Sequence, residues 1–178
     1  CTNPAPANGG LNCSGASSQA CNNGPCGGGS SSSSSGGCFV AGTRVLLPNG
    51  TSKLIEDIKQ GDVVQGQTSE NFVFKVEVYT TDEPTYSING GRYFITAEHP
   101  VQTTDGWKAI DPELTRHEYR NFDPERLAHN LKDIGQLVVG DTVFGPNGKK
   151  IKVTSITSKE HTGHKQPLDN LRLAGDNT

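Results

Sequence analysis

Methionine is absent from the 178 residues, tryptophan occurs once, and aromatic side chains supply only 6% of the chain. Without a Met no translation start is visible. A sequence opening at Cys1 reads as a piece of a longer polypeptide, so a missing leader peptide says nothing about destination. Charge is missing from a whole stretch: none of the 16 Lys and Arg or 19 Asp and Glu residues precedes Arg44. The net charge of −3 offers no broad cationic surface to nucleic acid or anionic lipid. No apolar run approaches the ~20 residues of a membrane-spanning helix. A soluble chain with no nucleic-acid partner and no membrane span is expected.

What is present falls into two objects. Cys1, Cys13, Cys21 and Cys26 lie in the uncharged part, with Pro, Gly and Asn but almost no large apolar side chain beyond Leu11. Such a segment cannot bury a core and needs disulfides to hold it; four cysteines allow three pairings. Residues 27–37, three Gly, six Ser and then Gly36-Gly37, form an uncharged Gly/Ser linker.

From Cys38 onward short apolar alternations are broken by turn signals. Strands are expected at Thr43 to Leu47 before Pro48-Asn49-Gly50, at Phe72 to Tyr79 and at Tyr93 to Thr96. Further ones fall at Val143-Phe144 before Pro146-Asn147-Gly148 and at Ile151 to Ile156. Helical periodicity is weak and confined to Pro112 to Leu131, so an all-β body with one surface helix or loop there is expected. The segment Ile55 to Val64 and the segment Ile134 to Val143 share the pattern I-x-x-[I/L]-x-x-G-D-x-V. Two copies do not make a solenoid; they suit one domain built from two related β-halves.

Two resemblances rest on these residues. Cys1-Thr-Asn-Pro-Ala-Pro-Ala-Asn-Gly-Gly-Leu-Asn-Cys13-Ser-Gly, with Cys21 and Cys26, resembles the C-terminal part of a thrombospondin type 1 repeat. That resemblance implies a Cys1–Cys13 disulfide, a secreted or extracellular location, and an extracellular glycan or matrix partner for residues 1–26. Cys38-Phe-Val-Ala-Gly-Thr-Arg-Val-Leu-Leu with Ile55 to Val64, and Tyr93-Phe-Ile-Thr96-Ala-Glu-His99-Pro-Val, resemble the two N-terminal blocks of the Hint domains of hedgehog proteins and inteins. The implied fold of residues 38–178 is an all-β horseshoe with pseudo-twofold halves.

The implied activity is autocatalytic processing in cis: an N-to-S acyl shift in which the Cys38 thiol attacks the carbonyl of Gly37. The upstream polypeptide is then the substrate, and water, a thiol or another nucleophile accepts the acyl group; no cofactor is required. A thiol near pKa 8.5 is a weak nucleophile at pH 7, so a proton acceptor or a positive field must assist it. His99 is the implied acid/base, and Thr96 is assigned to positioning and oxyanion stabilisation. Gly37 suits an acyl donor held in a strained geometry.

Asp141, His161 and Asn170 are weaker candidates. Asp141, like Asp62, follows a Gly and is expected mainly to satisfy turn amides. His161 and His164 lack the further ligands a zinc site needs, so no metal is expected. Asn170 stands where the family's late block has Asp or Asn, with Asn177 where it has His. No final His-Asn pair occurs before Thr178, so the expectation is confined to N-terminal chemistry. The stretch from His99 to Ile134 is too short for a homing endonuclease, since domains rarely fold below ~50 residues. The rival expectation is a secreted binding protein whose Hint-like body is an inactive scaffold, with Cys38 paired to Cys21 or Cys26.

Overall fold

The computed structural model describes residues 37–175. Cys1, Cys13, Cys21, Cys26, most of the linker and Asn177 lie outside the described residues.

Short strands follow one another: β1 (Phe39–Val40), β2 (Arg44–Leu46), β3 (Ser52–Leu54), β4 (Val63–Gln65), β5 (Glu70–Thr81) and β6 (Thr85–Ile88). Next come β7 (Val101–Thr103), β8 (Gly106–Ala109), α1 (Pro112–Phe122) and α2 (Pro124–His129). The chain then runs through β9 (Gly135–Gln136), β10 (Thr142–Phe144), β11 (Lys150–Lys152), β12 (Ile156–Lys159) and β13 (Gln166–Ala174). One sheet has the order β1-β13-β5-β4 and another β11-β10-β7-β8-β9, while β12 pairs with β6 and β2 with β3. The fold is mostly β, as the alternating pattern predicts.

The two halves repeat a local device. Gly61 and Gly140, at φ of +96° and +107°, occupy the left-handed region that glycine adopts without a Cβ penalty. Each donates its N–H across to a backbone carbonyl, Gly61 to Val73 on β5 and Gly140 to Val153 just after β11, both at 2.8 Å. The Asp that follows closes the turn from its carboxylate. Asp62 accepts from Lys59 N–H and from Lys53 Nζ; Asp141 accepts from Val138 N–H and from Lys108 Nζ. Lys53 lies on β3 and Lys108 on β8. The lysine and aspartate are 9 residues apart in the first half and 33 in the second. The excess is the pair of helices, inserted where the first half passes straight from β3 into a 3₁₀ turn at Ile55–Asp57.

Those helices depart from the single surface element expected. Asp111 and Asp123 cap α1 and α2, accepting from Leu114 and Arg126 N–H at 2.9 Å, and each is followed by Pro at the first helical position. The insert has its own core: Tyr119 and Leu131 bury with Ala109 and Ile134, and Trp107 and Leu127 pack against them. Two expected strands also differ. Tyr93 to Thr96 forms no ladder; only Ile95 bridges, to Phe39 on one side and Tyr86 on the other. Ile151 to Ile156 is broken into β11 and β12, because the residues between them cap back onto Asn89, whose Oδ1 accepts from Thr154 N–H at 2.7 Å.

Candidate functional site

Cys38 precedes a two-residue strand whose register, Phe39 against Asp169 and Val40 against Leu168, ties it to the long β13. The Cys38 side chain is fully buried with Val40 and Leu168, and Tyr79 packs against them. Thr96, also buried, closes on it from the Ile95 bridge. Its Oγ1 accepts the Cys38 N–H at 3.0 Å, and both its N–H (3.2 Å) and hydroxyl (3.3 Å) point at the Cys38 carbonyl. The Gly37 carbonyl receives neither donor. Thr96 therefore grips the amide nitrogen of the Gly37–Cys38 bond, the positioning expected of it, while its donors face the Cys38 carbonyl.

Three residues on, the His99 N–H donates to the Thr96 carbonyl at 3.4 Å, turning the imidazole toward β1. The ring lies 4.1 Å from that of Phe39, tilted by 54°. It is partly open to a cleft, while Nδ1 is shielded from solvent and has no well-formed hydrogen bond. Burial, reinforced by the positive charge of Arg126, pushes the His99 pKa down to about 3, against an opposing contribution from the Gly37 backbone. His99 is thus a neutral imidazole at pH 7.

Gly37 is buried at φ +88°, and a Cβ on it would fall 2.7 Å from His99 Cα and 2.8 Å from Nδ1. Gly37, Cys38, Thr96 and His99, spread over 63 positions, are therefore one constellation.

The cleft, about 810 Å³, is lined by His99, Phe39, Tyr119, Arg126 and Asn170 among others. Asn170, in register with Glu77 on β5, is buried. Glu77 holds Lys75 at 2.5 Å and Arg172 at 3.1 Å. Burial would raise its pKa, and these two cations bring it below the usual range. Tyr79, on the same strand, has its phenol pushed up to about 12, by burial first and then by the Glu77 and Cys38 charges. Sequence reasoning missed Glu77, Tyr79 and Arg126; for Arg126 the repeated Asp-Pro-Glu at 111–113 and 123–125 was the readable helix-start signal.

The weaker candidates sit elsewhere. Asp141 is occupied by Lys108 and its turn. His161 Nε2 meets Thr85 Oγ1 at 2.8 Å beside a separate small cavity, and its carbonyl accepts the His164 N–H. Among the described residues no cluster of three His, Cys, Asp or Glu could hold a metal, and no helix is long and apolar enough to cross a membrane.

Comparison with known proteins agrees with this architecture. The family model Vint, described as a Hint domain, matches residues 37–121. The gp41-1 intein superposes with a TM-score of 0.54 at 21% identity, covering 80% of this chain and 91% of its own. A bacterial intein-like domain from Clostridium thermocellum gives 0.54 at 24%, covering 79% and 94%. Iron–sulfur cluster assembly SufBD family proteins of Mycobacterium tuberculosis and Mycobacterium bovis are 27% identical over 156 residues, 78% of this chain. The chain spans only 16% of the length of those relatives. The mostly β body and the superposed structures show the Hint/intein fold, and residues 37–121 match the Hint-domain family model.

Proposed function

We propose that this domain processes its own polypeptide by an N-to-S acyl shift at Gly37–Cys38. The observation that carries the reading is the double hold on that bond, with Thr96 Oγ1 on the Cys38 N–H and His99 packed against Gly37.

The chemistry balances within these residues. Neutral His99 accepts the Cys38 thiol proton as Sγ attacks the Gly37 carbonyl carbon, forming the C–S bond and placing negative charge on the carbonyl oxygen. The tetrahedral species collapses by breaking the C–N bond, and His99 returns the proton to the Cys38 nitrogen. The products are a Gly37 thioester and a free Cys38 amine. A histidine with so low a pKa is a weak base but a strong acid once protonated, which suits the harder second transfer, to an amide nitrogen. Thr96 keeps that nitrogen in place throughout. Water, a thiol or another nucleophile then takes the glycyl group, releasing or transferring the residues upstream.

Intact-mass measurement of the purified chain at neutral pH, with and without hydroxylamine, tests this. A nucleophile-accelerated break between Gly37 and Cys38 is expected, abolished in Cys38→Ala and slowed in His99→Ala. A chain that stays whole under all conditions contradicts the proposal.

A further inference from the structure

A second cavity, of about 290 Å³, is drawn from different elements than the processing cleft: β1, β6, β12 and the start of β13 all contribute to its wall. Three of its lining residues are basic, Arg92, Lys159 and His161, and Thr85, Tyr93 and Gln166 add polar groups beside them. Among the described residues that line it there is no Asp or Glu.

The fold fixes where these donors stand. Lys159 and Thr85 are directly opposed in the ladder between β12 and β6, so their side chains leave the same face. Thr85 is almost wholly buried, and its Oγ1 meets His161 Nε2 at 2.8 Å, which holds the imidazole beside that pair. Arg92 is tied to the end of β1. Its Nη2 donates to the Ala41 carbonyl at 2.8 Å, and its guanidinium packs on Gly42, where a Cβ would collide with it. Glu56, on the Gly42 side of Arg92, accepts the Gly42 N–H at 2.6 Å and does not line the cavity.

Two permanent cations and an imidazole, brought from three separate segments, thus share one concavity without a lining carboxylate. Arg92 and Lys159 repel each other there, and the protein wall strengthens their field, so an anion between them is favoured. The volume lies at the bottom of the ~300–1,000 Å³ range of sites for organic ligands, which calls for a small ligand. Three basic donors also outnumber the two oxygens of a carboxylate and suit an anion with more acceptor oxygens.

We propose that this cavity binds a tetrahedral oxyanion of the phosphate type, with Arg92, Lys159 and His161 as its donors. The site is independent of the acyl shift, and neither reading depends on the other.

The test uses the full chain as Cys38→Ala, titrated by NMR with inorganic phosphate at pH 7 and fixed ionic strength. Saturable shifts are expected at the Arg92 side-chain Nε–H, the His161 ring and the Thr85 and Lys159 amides, with sulfate competing and acetate binding more weakly. Lys159→Gln, at an exposed position, should weaken phosphate binding on the order of tenfold, as should Arg92→Gln. Lys159→Arg should restore it, and Lys132→Gln, exposed and outside both cavities, should leave it unchanged. Glycerol 2-phosphate separates the sources: tighter binding than inorganic phosphate supports the site with a phosphomonoester as ligand, and weaker binding supports it with the free ion. Shifts that stay linear in phosphate, or unchanged affinity in Lys159→Gln, overturn the proposal. Acetate binding as tightly as phosphate overturns the assignment of a tetrahedral ligand.

Discussion

Gly37 and His99 are packed so closely that a single methyl group cannot be placed between them: a Cβ on Gly37 would sit 2.7 Å from the His99 backbone and 2.8 Å from Nδ1. The backbone there, at φ +88°, is itself costly for any L-residue.

Gly37→Ala therefore either displaces His99 or flattens the Gly37 backbone. Both move the acyl carbon from the imidazole, and a shift of about 1 Å in reacting groups costs on the order of 100-fold in rate. Cleavage followed by mass spectrometry should slow by that order, and the melting temperature should fall as well, since the new Cβ meets the His99 backbone at a buried, left-handed position. An unaltered rate would show that Gly37 is not held against His99 during the reaction.

Thr96 makes its contribution through the hydroxyl on the Cys38 N–H. Thr96→Val keeps the shape and removes the partner of a buried amide, so a loss of about 1–3 kcal/mol in stability is expected together with slower thioester formation. Thr96→Ser retains the oxygen and should recover most of both. If Thr96→Val cleaves at the parent rate, Thr96 only packs.

Much of this constellation is legible in the sequence because its parts are local. Cys38 heads an apolar run, Thr96 and His99 are three residues apart, and the repeated Gly-Asp pairs announce two equivalent turns. The insert was harder to read. In Pro112 to Leu131 the apolar residues Leu114, Tyr119 and Leu127 are diluted by charge, and burial of Tyr119 depends on Ala109 and Ile134 from outside the segment. Long-range packing of that kind leaves no period in the helix sequence. The same is true of Thr96: its residue type permits an oxyanion contact, but the Ile95 bridge to Phe39 decides which carbonyl its donors face.

His99 also links function to acid stability. Its pKa falls from an ordinary 6.5 to about 3 in the folded chain. Between those values the unfolded chain binds a proton that the folded one refuses, so stability is fully present above pH 6.5 and declines as pH drops toward 3. The loss is at most about 5 kcal/mol, an upper bound since part of the ring meets solvent. The carboxylates with lowered pKa, Asp62, Glu77 and Asp141, add to acid destabilisation only nearer their own titration range. Denaturant melts of Cys38→Ala between pH 4 and 7 should therefore slope upward, and the double variant with His99→Asn should be markedly flatter. Parallel slopes would mean that His99 is as easily protonated folded as unfolded.

The paired turns give the last prediction. Asp62 and Asp141 make the same contacts: each carboxylate accepts the N–H three residues before it and a lysine from the hairpin strand. For Asp62 the Lys53 hydrogen bond leads in lowering the pKa; for Asp141 burial would raise it, but Lys108 and the Val138 N–H outweigh that. If Asp141 served the reaction, this equivalence would be broken in activity. Asp62→Asn and Asp141→Asn should instead each cost about 1 kcal/mol of stability, from weakened charge-assisted hydrogen bonds, and both should leave cleavage at Gly37–Cys38 unchanged. A loss of cleavage specific to Asp141→Asn, at equal stability, would assign that carboxylate a part in the chemistry and end its equivalence with Asp62.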